Sequence, residues 1–425
     1  MIGFALHAAS WENITYGKGA SMFDLLTVEI ADSLVRDSVA PFGQETVPLE
    51  QAAGRILHQS VKAERALPPY DRVILDGIAV RWQPNLSAFT LCGTQPAGHP
   101  PITLPDAPVS NGTASAIAVM TGSVLPFGTD TVIPREHFKI AGDQVTLREG
   151  CLPSKGQHIH PRGADCEAGA ILLQAGIRLT SPEMAILAAN GVSHPSVTTI
   201  PSIAIISTGD ELVAPDAPVE AWQIRRSNDY AISASLSRKG FTRQALCLLP
   251  DDLPRMTESL ATLLDQHDVL VLSGGVSMGQ FDFVPKALTA LGVKTVFYKV
   301  AQRPGKPFWF GLSAKGQPVF ALPGNPVSAL ACCSRHVVPA LLAAQGLSVA
   351  PLRVLLDASL TPLPTMTRFV PVRLIHDENG AARAQPHPMP TSGDFNRLGV
   401  THGLVELAPG ETPLPPGSVV PFYEW

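Results

Sequence analysis

Apolar residues recur along the chain with two different periods, and the places where the period changes divide it. From Ser21 a helix is predicted, because Ser21 and Asp24 form a capping pair and Phe23, Leu26, Ile30 and Leu34 follow at helical spacing. Between Glu64 and Leu147 short β-prone runs such as VILDGIAV and IAVMTG alternate with loops rich in Pro and Gly, which predicts a mostly β unit. A second helix is predicted to start at Thr180, where Thr180 and Glu183 fit a capping box with Pro182 in the first turn, and to stop at Gly191. TTIPS then marks a boundary near residue 200.

From Ile203 the rhythm becomes strand, glycine-bearing loop, helix. IAIIS and DVLVL are continuous apolar runs, and helices are predicted from about Asp229 to Lys239 and over LPRMTESLATLLDQH. Apolar strands alternating with helices predict a doubly wound α/β domain with a parallel sheet covered on both faces. After Gly346 the pattern is β again in LRVLLDASL, TRFVPVRLI and GSVVPFYEW, with the Asn379-Gly380 pair as a hairpin signal.

Composition narrows the class. Of 425 residues, 45% are hydrophobic and 16% charged, enough apolar surface for several cores, and 40 prolines disfavour an all-helical bundle. A formal charge of −5 offers no broad field for a phosphate backbone, so nucleic acid is excluded as a partner. Cys92, Cys151, Cys166, Cys247, Cys332 and Cys333 lack zinc-ligand spacing and read as buried thiols in a reducing compartment. The N-terminus has no secretory pattern, and SALACCSRHVVPALLAA is interrupted by Arg335, His336 and Pro339, so a soluble cytoplasmic protein without a membrane span is expected.

The candidate chemistry gathers at the predicted strand ends, where α/β folds bind ligands. SGGVSMGQFD follows DVLVL, and its Ser273, Gly274, Gly275, Ser277 and Gly279 suit close approach of backbone N–H groups to an anion. LPGNPVSAL follows PVFA, with Pro323-Gly324 ahead of Asn325 as cap and Pro326 in the first helical turn. STGDELV leaves IAIIS through Ser207, Thr208 and Gly209 and carries Asp210 and Glu211 where a ligand would sit. Between these loops KVAQRPGKP supplies Lys299, Arg303 and Lys306, cations suited to a phosphate or another oxyanion. Taken singly, a glycine turn, a helix cap and a solvated lysine each explain part of this; their order in one chain is what argues for a site.

In that order the loops resemble the molybdopterin molybdenumtransferase family, which includes the E domain of gephyrin. PPYDRVILDGIAV, AVMTGSVLPFGTDTVI, HPRGADCEAG and LTSPEMAILAANG extend the resemblance over nearly the whole chain from Ser21. It implies an elongated homodimer of four parts: a discontinuous helical linker region (21–62 and 150–200), an inserted β domain (63–149), a molybdopterin-binding α/β domain (201–345) and a C-terminal β barrel (346–425). It also implies the reaction, in which molybdate is placed on adenylated molybdopterin and AMP is released with Mg2+ as cofactor. The upstream adenylyltransferase and downstream molybdoenzymes would be its partners.

By matching position, the resemblance implies catalytic roles for Asp76, Asp165, Glu183, Asp210 and Asp282, with Asp210 and Asp282 as metal ligands. Thr121, Arg303, Lys306, Pro323, Pro326 and Ser392 would contact substrate. Converging carboxylates about 4 Å apart repel by about 4 kcal/mol per pair at an effective dielectric of about 20, which a hard divalent ion or raised pKa values would offset. For Glu183 the capping box is an equally good explanation. The chain departs from the family's pattern at Arg72-Val73, Ile78, Gln280 and Arg303, and Arg303 offers a planar fork where a point charge is usual. Two other readings stay open: a molybdopterin adenylyltransferase, which would need neither the Pro68–Val80 motif nor the C-terminal β unit, and a non-catalytic molybdopterin-binding protein. Tungstate shares the charge and shape of molybdate.

Overall fold

The computed structural model describes residues 25–106, 113–276, 282–347, 350–387, 389 and 391–425. The first helix, α1 (Val28–Ser38), begins later than its sequence suggests, because Thr27 caps it by accepting from Ile30 N at 3.3 Å. Its buried residues include Val28, Ala31 and Val35; of the expected stripe Leu26 is buried and Leu34 packs against the same core, while Ile30 is 49% exposed. Ser21 and Asp24 lie outside the described residues. α2 (Ser181–Ala189) carries the expected capping box: Glu183 Oε2 accepts from Thr180 N at 2.8 Å and from the Thr180 hydroxyl.

The region ahead of α2 holds a six-stranded sheet in the order 131–134, 77–80, 113–119, 88–95, 144–147, 138–141, with 88–95 and 113–119 parallel and the rest antiparallel. Ile78, Val80, Phe89, Ile133 and Phe138 fill one face and Val73, Ile117 and Val132 the other.

Beyond residue 202, the strands Gln244–Leu249, Ile203–Thr208, Val269–Ser273 and Pro318–Leu322 are parallel, in that order. Two antiparallel strands, Trp309–Leu312 and Lys294–Tyr298, extend the edge, so the sheet is mixed and not wholly parallel as expected. A short connection after Tyr298 cannot make a crossover and turns back as a hairpin. The covering helices are α3 (Asn228–Arg238), α4 (Leu253–Gln266), α5 (Val284–Ala290), α6 (Pro326–Cys332) and α7 (Val338–Ala344).

A π turn, Cys333–Val337, joins α6 to α7, and the continuous 19-residue run from Pro326 to Ala344 is apolar and long enough to cross a membrane by composition alone. It is instead packed inside the fold, 83% buried over its most apolar window. Val337, Leu341 and Cys332 share one core with Val28 and Val35 of α1, the sheet residues Ile205 and Phe320, and Phe369 and Leu404 of the last β unit. That unit is a closed five-stranded barrel: 367–376, 382–386, 352–356, 419–424 and 403–407, the last pairing back onto the first. Asn379-Gly380 lies in the expected turn, with Gly380 N donating to Asp377 O at 2.9 Å. Of the six cysteines, all free, only Cys332 and Cys333 are buried; Cys92 is exposed and the others are half-buried, contrary to expectation.

Candidate active-site cleft

The carboxyl ends of the parallel strands open into a cleft of about 1680 Å³ whose other wall comes from the barrel, through Arg368, His387 and Ser392 among others. Three of its loops touch one another. Gly274, with φ +106°, lies so close to the first loop that a Cβ would stand 2.7 Å from Thr208 O, and the same test puts Gly324 3.6 Å from Gly274 Cα. Only glycine permits that approach at Gly274. Ser273 Oγ donates to Pro323 O at 3.1 Å and accepts from Asn228 Nδ2 at 2.8 Å, and the same amide reaches Gly324 O at 2.8 Å. Asn228, the first residue of α3, therefore clasps two loops, a role its sequence position did not reveal.

The cleft brings together Ser207, Thr208 and Gly209 of the first loop, Ser273, Gly274, Gly275 and Asp282 of the second, and Arg303 and Lys306 of the 302–308 loop. Pro323, Gly324, Asn325, Pro326 and Ser392 complete this group. Thr208 Oγ1 is buried without a hydrogen-bond partner beside Gly274 and Gly275. Ser277, Gly279 and Gln280 lie outside the described residues. Asn325 stands at the helix start as expected but does not cap with its side chain: Nδ2 donates to Ser392 Oγ at 2.8 Å, while Val327 N donates to Ser392 O at 3.1 Å. The barrel thus supplies what a cap would.

Glu211, Asp251 and Asp282 line the acidic end, whereas Asp210, expected there from the sequence, does not line the cleft and is bonded to Asp251. Asp210 Oδ1 accepts from Asp251 N at 3.1 Å, and the Asp251 carboxyl is pushed up by burial and then by the charges of Asp210, Glu211 and Asp282. Asp251 was missed in the sequence, where it reads as part of an ordinary helix start ahead of Asp252. Among the described residues no three His, Cys, Asp or Glu side chains are grouped to hold a metal ion, so the expected Asp210 and Asp282 pair lacks a third ligand of that kind. At the floor, Arg226 stacks on Tyr230 at 5.3 Å and sits 3.3 Å from Asp229 Oδ2, whose fully buried carboxyl is pushed up by burial against the pull of that cation.

The other expected residues lie elsewhere in the chain. Asp76 and Thr121 meet each other on the inserted sheet: Asp76 Oδ1 accepts from Thr121 N at 2.7 Å and Oγ1 at 2.8 Å, which holds the carboxyl below its usual range. Asp165 accepts from His160 Nε2 at 2.9 Å, and Arg72 Nη2 stands 3.1 Å from the other ring nitrogen. Since Arg72 can only donate, His160 Nδ1 accepts and Nε2 carries the proton toward Asp165. The departure at Arg72 thus orders the histidine beside Asp165. Glu183 is occupied in its own helix cap. None of Asp76, Thr121, Asp165 and Glu183 lines the cleft of its own chain.

Residues 26–191 match the family described as MoeA N-terminal region (domain I and II), 204–343 the probable molybdopterin binding domain, and 353–425 the MoeA C-terminal region (domain IV). The chain is 35% identical over 405 residues to a molybdopterin molybdenumtransferase of Synechocystis sp., covering 94% of this chain and all of the relative. It is 32% identical to molybdopterin molybdenumtransferase 2 of Mycobacterium tuberculosis over 85% of this chain and 90% of that one. A crystal structure of a molybdopterin biosynthesis MoeA protein from a Pyrococcus species superposes with a TM-score of 0.79 at 28% identity, over 94% of this chain and 99% of that one.

Proposed function

Because this chain belongs to the molybdopterin molybdenumtransferase family, as its relatives along nearly its full length establish, we propose that it transfers molybdenum from molybdate to adenylated molybdopterin and releases AMP. The observation that carries this reading is the composition of the cleft: glycine loops for an anionic substrate, two cations on an adjacent loop and an acidic end. Backbone N–H groups at the glycine loops bind the phosphates and pterin of the substrate, and Arg303 and Lys306 receive the oxyanion.

The donor set fits a hard divalent ion only in part. One or two carboxylates are what Mg2+ takes when substrate phosphates supply the remaining ligands, and Asp210 and Asp282 with Asp251 between their charges answer that description. Bound there, the ion would neutralise charge on the departing AMP. The Asp251 backbone N–H donates to Asp210 Oδ1 and so fixes that carboxylate beside the acidic end.

Asp76, Thr121 and Asp165 are assigned to the same chemistry through a second copy of the chain. Around them Tyr70, Ile74, Leu75 and Met120 are 36–46% exposed, an apolar surface of the kind that marks a protein interface. A homodimer that seats this surface at the mouth of the partner's cleft completes the acidic set. A cytoplasmic location accords with the free thiols.

The test is turnover by the purified protein. With adenylated molybdopterin, molybdate and Mg2+ it is expected to release AMP and to form a cofactor that reconstitutes an apo-molybdoenzyme. Pyrophosphate release from ATP and free molybdopterin, with the AMP group transferred to the pterin, would favour the adenylyltransferase reading, and pterin binding without turnover under any divalent ion would overturn both.

A further inference from the structure

The cationic loop has two faces. Arg303 and Lys306 are exposed toward the cleft, whereas Gln302, Gly305 and Phe308, spaced three apart, are buried beneath it. Gln302 Nε2 donates to Gly305 O at 3.0 Å and approaches Cys332 Sγ at 3.3 Å, so one amide ties the loop's start to its tip and to α6. Gly305, at φ +99°, has no space above that amide: a Cβ would lie 2.6 Å from Cys332 Sγ and 2.9 Å from Gln302 Nε2. The bond is therefore built into the packing of the loop.

What fixes Gln302 comes from the π turn. His336 Nε2 is 2.8 Å from Gln302 Oε1, and its ring stacks on Phe308 with centroids 4.9 Å apart, so this one fully buried side chain grips both ends of the loop. His336 Nδ1 is in turn 3.0 Å from Asp32 Oδ1 of α1. Arg335, the next residue back, bonds Asp32 with Nη1 and Glu406 of the barrel with Nε, and covers the Tyr423 ring at 4.8 Å. Placing both side chains inward from adjacent positions is what the wider π turn allows. A polar network this deep is costly unless fully satisfied, and its endpoint is the underside of the loop that faces the cleft.

We propose that His336 and Gln302 are positioning residues for the oxyanion step: anchored through Asp32, they hold the 302–308 loop so that Arg303 and Lys306 are fixed at the spacing a tetrahedral dianion requires. This inference rests on the proposed transfer reaction. It predicts a particular signature, because loosening the loop withdraws the two cations while the glycine loops keep their own bonds through Asn228 and Ser273. Preorganised donors lose their advantage when their support is removed.

The test compares the wild-type protein with Gln302→Met, close in volume but without the amide, and His336→Phe, which keeps the stack on Phe308 but cannot bridge to Gln302. Steady-state AMP release and molybdate calorimetry are measured for each, together with the melting temperature. The expected result is a KM and Kd for molybdate raised about tenfold or more, with the KM for adenylated molybdopterin and kcat at saturating molybdate within about threefold of wild type. Should either variant fail to fold, Gln302→Asn, which keeps the site polar but withdraws the amide from Gly305, supplies the same comparison. A wild-type protein that turns over with molybdate while folded variants keep its molybdate KM would overturn the positioning role alone. Equal loss toward both substrates would assign the network to stability and overturn it too. A wild-type protein with no molybdate-dependent AMP release would overturn the transfer reaction, and this inference with it.

Discussion

At the scale of single residues, the acidic end of the cleft is under electrostatic stress that its neighbours do not relieve. The Asp251 carboxyl is raised by burial and by Asp210, Glu211 and Asp282, so its contribution to stability is present below the unfolded-state pKa and is lost as pH rises through the higher folded-state value. Asp251→Asn is therefore expected to raise the melting temperature at pH 7 to 8, with the gain vanishing near about pH 4. If the site works with a divalent ion, the same substitution should also raise the concentration of Mg2+ needed for half-maximal AMP release. A melting temperature lowered at neutral pH would show that Asp251 is held by compensating partners instead. Nothing in the sequence singled out Asp251, because its importance comes from charges brought to it from residues 210 and 282, far away along the chain. Thr180 and Glu183, by contrast, were legible because a capping box is made within one turn.

At the scale of elements, local signals served where partners are local. The box at α2, the glycine loops after strands and the turn at Asn379-Gly380 all depend on neighbours a few residues away. In α1 the apolar spacing marks Leu26 and Leu34 but also the exposed Ile30, since which stripe of a short amphipathic helix is covered depends on what packs there, and here that is the core shared with α7 and the barrel. The Asn325 side chain looks like a cap from its neighbours along the chain, but its partner, Ser392, belongs to another unit of the fold. Gly77 gives an element-scale test. It lies in the strand next to Asp76, and a Cβ there would stand 2.0 Å from Ile133 O, inside the paired neighbouring strand. Gly77→Ala is expected to cost about 2 to 4 kcal/mol by forcing the two strands apart. Chemical denaturation would check this, and a change below about 0.5 kcal/mol would mean that the edge of this sheet yields easily.

At the scale of the molecule, the part-buried set of Asp32, Arg335 and Glu406 locks together distant parts of the chain, with Asp32 and Arg335 bonded across 303 positions. Burial raises the Asp32 carboxyl, but His336 and Arg335 outweigh it and hold the group below its usual range. Its stabilising effect is therefore present above the unfolded-state pKa and is lost as pH falls through the folded-state value. Arg335→Met would remove the cation that Asp32 and Glu406 share and is expected to cost about 3 to 5 kcal/mol at neutral pH, with the deficit shrinking on acidification as Asp32 becomes neutral. A deficit that is the same at pH 4 and pH 7 in thermal melts would contradict that account. At the largest scale, one chain keeps the two groups of acids apart: Asp282 lines the cleft and Asp76 does not. If a twofold dimer joins them, inactive Asp76→Asn and Asp282→Asn proteins unfolded and refolded together should regain activity. Random pairing makes about half the dimers hybrid, and each hybrid has one site with both acids intact, so about one site in four recovers. A site built within one chain gives no such rescue, because every chain in the mixture lacks one acid. Activity that stays at the level of the separate variants, in a mixture whose hybrids are verified by mass, would rule out the shared site and leave Asp76 and Thr121 without a part in the transfer reaction.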